Sequence, residues 1–131
     1  MLFRKQLGIF YDLINDEFVI PYFIETTFCE LQNLIQSNKF KPALEKILLS
    51  PEDIINAIGD KSVILPDPAS IPKIINDPSD NTILACAVSA RANFIISGDS
   101  HLLKLKSFQN IPILTPRKFL TSVHPAPIRR N

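Results

Sequence analysis

This 131-residue chain has few glycines, almost no net charge and no long apolar run. Only three glycines occur and they are dispersed, so a glycine-rich phosphate loop or a dinucleotide-binding fingerprint is excluded. Fourteen basic residues nearly balance thirteen acidic ones, so overall charge does not point to nucleic acid. No apolar run approaches the roughly 20 residues of a membrane span, and the N-terminal segment has no small-residue cleavage site. We therefore expect a cytoplasmic protein with no membrane segment.

Cysteine is also scarce. The two cysteines, Cys29 and Cys86, each lie in an apolar-periodic segment, which predicts buried thiols in a reducing compartment rather than a disulfide framework. With 46% hydrophobic residues, the chain can bury a substantial core without such staples. We predict a single domain over residues 1–120 and a disordered tail over residues 121–131.

Helical patterns alternate with short apolar runs along the chain. The predicted strands are residues 17–21, 62–66, 94–97 and 111–114, and the predicted helices are residues 6–15, 24–36, 39–49, 51–59, 77–91 and 100–105. Short, fully apolar strands between helices imply an α/β fold whose parallel sheet is covered on both faces. In such folds, functional sites form beyond the carboxyl ends of the strands.

The stretch DPSDNTILACAVSARANFIISGD, from Asp77 to Asp99, places three carboxylates at two neighbouring helix entries. One interpretation is structural, because aspartate is a preferred helix cap and Asp77, Pro78 and Asp80 approximate a capping box. The other is a site for a hard divalent cation, since clustered carboxylates at strand ends can hold such an ion. Asp80 and Asp99 lie near the ends of adjacent loops rather than far apart, and this favours the shared site.

Glu30 borders the apolar stripe of the second predicted helix, where its carboxylate can lean toward the edge of the sheet. An exposed glutamate is the ordinary alternative, because glutamate is seldom buried. The two histidines, His101 and His124, lack the spacing of a zinc site.

The block DPSDNTILACAVSARANFIISGDSHLLKL, followed by IPILTPRKFL, resembles the C-terminal half of PIN-domain proteins, especially a VapC-like toxin subgroup. The earlier VIPYFIETTFCELQNLI resembles that family's second strand and its glutamate-bearing helix. The resemblance extends to about Leu120 and implies a three-layer α/β/α fold with a central parallel sheet. The family's first strand, which ends in a metal-binding aspartate, has no match in the chain, so we expect this N-terminal strand to be missing. Since MLFRK aligns with the segment that follows that strand, either Met1 is an internal methionine of a longer reading frame or the chain is a shortened, degenerate member.

The resemblance also implies a function. In the PIN family, three or four acidic residues bind Mg²⁺ or Mn²⁺ and cleave RNA, and the matching positions here are Glu30, Asp80 and Asp99. Ser97 would support them as a nearby hydroxyl, and Asp77 as the helix cap. A nuclease toxin of this kind acts on RNA and is held by a protein antitoxin. The missing strand would leave sheet edges that favour a homodimer or a higher oligomer.

Two other functions stay open. A truncated, inactive PIN-like module would bind RNA or a protein partner without cleaving it. A phosphoacceptor receiver-like domain also uses acidic residues at strand ends, but it requires a paired-acid first strand and a late lysine after a strand, and neither is evident.

Overall fold

The structure is a computed structural model that describes residues 12–46 and 48–123. Residues 12–15 are helical. The bounded elements that follow are, in chain order, β1 (Tyr22–Ile24), α1 (Glu25–Ile35), α2 (Lys41–Lys46), α3 (Pro51–Lys61), β2 (Val63–Leu65), α4 (Pro78–Ala90), β3 (Ile95–Ile96), α5 (Ser100–Leu105), β4 (Ser107–Phe108), β5 (Ile111–Leu114) and α6 (Pro116–Val123). Residues 6–11 of the first predicted helix lie outside the described residues.

The strands pair mainly in parallel. β1 pairs in parallel with β2, and β3 in parallel with β5, while β4 is antiparallel to β5. The described strands therefore form two hydrogen-bonded sheets, one of order β1-β2 and one of order β3-β5-β4. Parallel pairs separated by helices confirm the predicted α/β class. Within the described ranges, every helix is too short or too polar to cross a lipid bilayer.

Local signals fix several element boundaries. Ser50 caps α3 as its sequence predicts: its hydroxyl accepts from the Asp53 N–H at 3.0 Å, and the Asp53 carboxylate accepts from the Ser50 N–H at 3.1 Å. The strand predicted over residues 17–21 is wrong, because the chain turns at residues 16–18 and β1 begins only after Pro21. Proline lacks an N–H to donate, which suits a position at the start of a strand.

Two elements near the C-terminus, β4 and α6, are not signalled by the sequence pattern. β4 and β5 form a hairpin whose two turn residues, Gln109 and Asn110, both have positive φ angles, 49° and 67°. Such turns usually carry glycine, and its absence here hides the hairpin. Helix α6 runs through Val123, so the tail predicted over residues 121–131 begins inside a helix, and residues 124–131 lie outside the described residues.

The core consists of two apolar clusters. The N-terminal cluster is built around helices α1 to α3 from Ile14, Ile35, Phe40, Leu44, Ile54, Ile55 and Ile58. The C-terminal cluster is built around α4 and the β3–β5 pair from Leu84, Ala87, Ile95, Leu102, Ile111 and Ile113. Helix α4 belongs to the second cluster and also contacts β1 and α1, so it joins the two parts of the fold.

Side chains of α1 and α4 close one edge of β1. The Pro21 carbonyl faces β2, where it accepts from the N–H of Val63. Because successive residues of a strand face opposite edges, the backbone N–H and C=O groups of Tyr22 and Ile24 face away from β2. There the Ile24 N–H donates to the Thr27 hydroxyl at 2.9 Å. The Thr27 hydroxyl also donates to the Ile24 carbonyl at 3.0 Å, so both backbone groups of Ile24 on this edge are satisfied by one side chain.

The thiol of Cys86 completes this edge by donating to the Tyr22 carbonyl at 3.6 Å. Burial raises the pKa of the Cys86 thiol, which favours the neutral form that can donate. Cys86 is buried as predicted, but the same prediction is wrong for Cys29, which is exposed. Cys29 lies beside the exposed Glu30, off the α1 stripe that faces the core.

Asp67, in the loop after β2, accepts hydrogen bonds from the first turn of α1, although it lies 41 residues away from Thr26 in the sequence. Its Oδ1 accepts from the Thr26 N–H at 3.0 Å, and the Thr26 hydroxyl donates to its Oδ2. The hydroxyl contact first, and the backbone N–H second, lower the pKa of Asp67. The contact fixes the β2–α4 loop to the helix that carries Glu30.

We predict that Asp67→Asn lowers the midpoint of thermal unfolding at neutral pH, because the negative charge that accepts both Thr26 donors is lost. Folding lowers the pKa of Asp67, so its contribution is complete above the ordinary aspartate pKa and disappears as pH falls through the folded value. The difference between wild type and variant should therefore shrink from about pH 7 to about pH 3.

The matched control is Asp60→Asn, which removes an exposed carboxylate on α3. Thermal unfolding of all three proteins at both pH values checks the prediction. An Asp67→Asn difference that stays constant with pH would contradict it.

Candidate metal centre

The first part of the site is the beginning of α4. Asp77 is the N-cap of this helix, and its Oδ1 accepts from the Ser79 N–H at 2.9 Å, as the capping interpretation predicts. Pro78 occupies the first helical position and Asp80 the third. Asp80 points inward, with only 4% of its surface exposed. The two aspartates of this motif therefore differ in role: one is an exposed cap and the other is buried.

Asn81, the next residue, holds the preceding loop against the helix. Its Oδ1 accepts from the N–H groups of Ile74 and Ile75 at 2.9 and 2.8 Å, and its Nδ2 donates to the Ile75 carbonyl at 2.7 Å. The Asn81 side chain is buried and carries no charge, so it makes these hydrogen bonds without adding to the repulsion between the nearby carboxylates. Asn81 thus positions the Asp77–Asp80 entry. Sequence reasoning did not single it out, although its place directly after Asp80 was the available signal.

The second part of the site is the turn between β3 and α5. Ser97 directly follows β3, and its N–H donates to the Leu114 carbonyl of β5 at 3.0 Å. Its buried hydroxyl accepts from the Asp99 N–H at 3.0 Å. Asp99 then caps α5, because its Oδ1 accepts from the N–H groups of His101 and Leu102 at 2.7 and 3.4 Å. Ser97 thus positions the Asp99 backbone, and its role as a supporting hydroxyl of a metal site stays a prediction.

These two helix entries meet. Within the described residues, Asp80, Asp99 and His101 form a group in which one potential ligand atom of each lies within 4.8 Å of the others. Two atoms bound to the same ion at about 2.1 Å lie about 3 to 4.2 Å apart, depending on whether they are adjacent or opposite. The observed spacing is therefore close to that of a metal site.

The carboxylate of Asp80 is the part of this group that most needs a partner. Its Oδ2 is buried and accepts no hydrogen bond from the described part of the chain. The other buried polar side chains there, Asn81, Thr82 and Ser97, all make hydrogen bonds. Burial, and after it the charges of Asp99 and Asp77, raise the pKa of Asp80, whereas His101 lowers it. A cation at this position would remove both the missing bond and the repulsion.

Glu30, the third predicted ligand, lies outside the group of three. It is exposed on α1, and partial burial followed by the charge of Asp77 raises its pKa. Asp77 also raises the pKa of Asp80. The four carboxylates therefore form one electrostatic series, from Glu30 through Asp77 and Asp80 to Asp99, but only the last two converge on a point.

His101 is the group member that sequence reasoning set aside. Its Nδ1 lies 3.5 Å from Asp99 Oδ1, and 64% of its side chain is exposed. The spacing of a zinc site requires histidines or cysteines close together in sequence, whereas the potential ligands beside His101 are carboxylates from two different helix entries. The informative signal was its position two residues after Asp99, which places both side chains at the same helix start.

The arrangement combines a buried anchor with an open side. Asp80 is enclosed, while 40% of the Asp99 side chain and more of His101 are accessible to solvent. Two carboxylates and one imidazole suit a divalent cation, and these three residues, the group found in the described part of the chain, are too few to fill its coordination sphere. The remaining positions would be open to water or to a substrate oxygen, as in catalytic rather than structural metal sites.

Comparison with known proteins gives a family for the chain. The family model described as "PIN domain" matches residues 1–101. This range includes both helix entries and the whole Asp80–Asp99–His101 group. No curated protein and no solved structure matches the chain. The sequence resemblance is thereby confirmed at the level of the family.

We predict that Asp80→Asn stabilises the metal-free protein at neutral pH. The raised pKa of Asp80 means that the folded state resists its ionisation, so wild-type stability falls as pH rises through the folded pKa. Asparagine carries no charge, and the expected gain is about 1 kcal/mol near pH 7, disappearing below about pH 4. Chemical denaturation in the presence of a chelator measures the difference.

Addition of Mn²⁺ provides the complementary observation. Mn²⁺ should raise the unfolding midpoint of the wild type and leave Asp80→Asn unchanged, because ligand binding stabilises only a protein that binds it. Asp60→Asn on α3 is the matched control and should respond like the wild type. Lower stability of Asp80→Asn in chelator at neutral pH would contradict the electrostatic account.

Proposed function

The chain belongs to the PIN-domain family, whose members are generally nucleases, and from this premise we propose that it is a metal-dependent endoribonuclease. The observation that carries the proposal is the Asp80–Asp99–His101 group, in which a buried carboxylate oxygen lacks a partner. Unsatisfied buried carboxylates are costly, so their presence at the converging helix entries favours a site for a cation.

Asp80 and Asp99 would hold Mg²⁺ or Mn²⁺, the ions that PIN domains typically use. When bound, such an ion activates water and offsets charge on a phosphodiester. The protein's own part is positioning: Ser97 holds the Asp99 backbone, and Asn81 holds the loop that leads to Asp77. These neutral hydrogen bonds fix the carboxylates before the substrate arrives.

Glu30 and Asp77 would act from outside the group. Their coupled charges extend the negative potential along the site and would help to attract a second cation or to orient a metal-bound water. Glu30 thus keeps the ligand role that the family pattern implies only if its exposed side chain swings toward Asp80.

The substrate and biological role are finer proposals based on the family resemblance. We assign the activity to RNA and to a VapC-like toxin of a toxin–antitoxin system in the cytoplasm, with a protein antitoxin as partner and a homodimer or higher oligomer as the assembly. Four exposed cations on or beside α5 and α6 support a polyanionic substrate, namely Lys104, Lys106, Arg117 and Lys118. They follow the acidic motif directly in the chain.

A second candidate is a PIN-like module that binds RNA or a protein partner without cleaving it. The observation in its favour is that only two carboxylates converge in the described part of the chain, while Glu30 remains exposed and outside the group. Fewer charged ligands would weaken metal binding and the activation of water.

We predict that the purified chain cleaves labelled single-stranded RNA in Mn²⁺ and that Asp99→Asn lowers the rate by about 100-fold or more, because an anionic ligand is lost while the amide still caps α5. Gel analysis of the cleavage products over time gives the rate. Asp60→Asn on α3 is the matched control and should keep wild-type activity.

Cleavage that persists in chelator, or that Asp99→Asn leaves unchanged, would contradict the nuclease assignment for this site. RNA binding without cleavage by the wild type in Mn²⁺ would instead favour the inactive module. Filter binding of the same RNA, measured in parallel, distinguishes these two results.

A further inference from the structure

The imidazole of His101 lies within the candidate metal centre. One of its nitrogens comes within 4.8 Å of carboxylate oxygens from both Asp80 and Asp99, although these come from different helix entries. An imidazole on a helix surface has many directions available, and most lead to solvent. Its position among the carboxylates therefore requires an explanation.

A simple ion pair with Asp99 explains the position only in part. The Nδ1–Oδ1 distance is 3.5 Å, longer than the 2.7 to 3.2 Å typical of a well-formed N–H···O hydrogen bond. The same Oδ1 already accepts from the His101 N–H at 2.7 Å and from the Leu102 N–H. A separation near 3.5 Å is, however, ordinary for two ligands that share one ion.

A second, independent observation points to a ligand at the same place. Asp80 Oδ2 is buried and unpartnered, and a carboxylate oxygen of Asp80 lies within 4.8 Å of the potential ligand atoms of His101 and Asp99. No donor from the described residues reaches it. An ion held there would contact the enclosed Asp80 from one side and His101 from the open side.

We infer that His101 is a nitrogen ligand of the metal and that the site therefore selects Mn²⁺ over Mg²⁺. The inference rests on the proposed function, since it places the ion at Asp80 and Asp99. Mg²⁺ strongly prefers oxygen ligands and keeps its waters, whereas transition metals accept imidazole readily. Two carboxylates alone would bind both ions with little discrimination, and the imidazole adds affinity for the transition metal only.

The first test compares metal affinities in the purified full chain by isothermal titration calorimetry with Mn²⁺ and Mg²⁺ alone. His101→Ala should weaken Mn²⁺ binding about tenfold or more and change Mg²⁺ binding by no more than about twofold. His124→Ala is the matched control because it removes the other histidine of the chain. His101→Gln, which keeps a polar side chain but offers no imidazole nitrogen, should behave like His101→Ala.

The second test detects the bond itself. Electron spin-echo envelope modulation of the Mn²⁺ complex should show coupling to an imidazole nitrogen in the wild type and in His124→Ala. The coupling should be lost in His101→Ala and in His101→Gln. Thermal unfolding in chelator verifies that the variants are folded, which is expected because the His101 side chain is mostly exposed.

The outcomes separate this inference from the proposed function. If His101→Ala keeps both the Mn²⁺ preference and the nitrogen coupling, while Asp99→Asn abolishes metal binding, the inference is overturned and the nuclease proposal stands. If Mn²⁺ binds through His101 but RNA is not cleaved, the inference is supported and the nuclease proposal fails. A wild type that binds no Mn²⁺, or that binds both ions equally, overturns the inference.

Discussion

The packing of helix α4 against two partners is the constraint on which the rest of the structure depends. Leu84 and Ala87 enter the C-terminal cluster, while Cys86 reaches the edge of β1 and donates to the Tyr22 carbonyl. One helix thus joins the core to a strand of the other sheet. Because α4 also begins with Asp80, the contacts that join the fold determine where this carboxylate lies.

The beginning of α4 combines stabilising and destabilising features. The helix macrodipole favours acidic residues in the first turn, and Asp77 accepts from a backbone N–H there. Asn81 satisfies backbone groups of the loop that leads into the helix. The burial of Asp80 works in the opposite direction, and its proximity to Asp99 and Asp77 adds to the effect. Natural proteins retain such unfavourable groups mainly at functional sites, where a ligand compensates them. This balance explains why one of two similar aspartates is an ordinary cap and the other is not.

Much of the fold could be predicted because its signals act over a few residues. Ser50 and Asp77 cap α3 and α4 as expected, and the parallel pairing follows from short apolar strands between helices. The errors arose where a local signal was absent or misleading. The β4–β5 turn adopts left-handed angles without glycine, and Cys29 is apolar but lies on the exposed side of α1. Which side of α1 is buried depends on its contacts with α3 and α4, and these are not contained in a local pattern.

The sequence by itself determined the helix starts, the α/β class and the family, since capping, periodicity and motif order are all written along the chain. It also identified Asp80 and Asp99 as a pair, because each begins a helix near the end of a strand. Only the tertiary structure decided that His101 joins them and that Glu30 stays apart. Ligand convergence depends on the distances between separate helices, and these distances are set by packing between residues far apart in sequence.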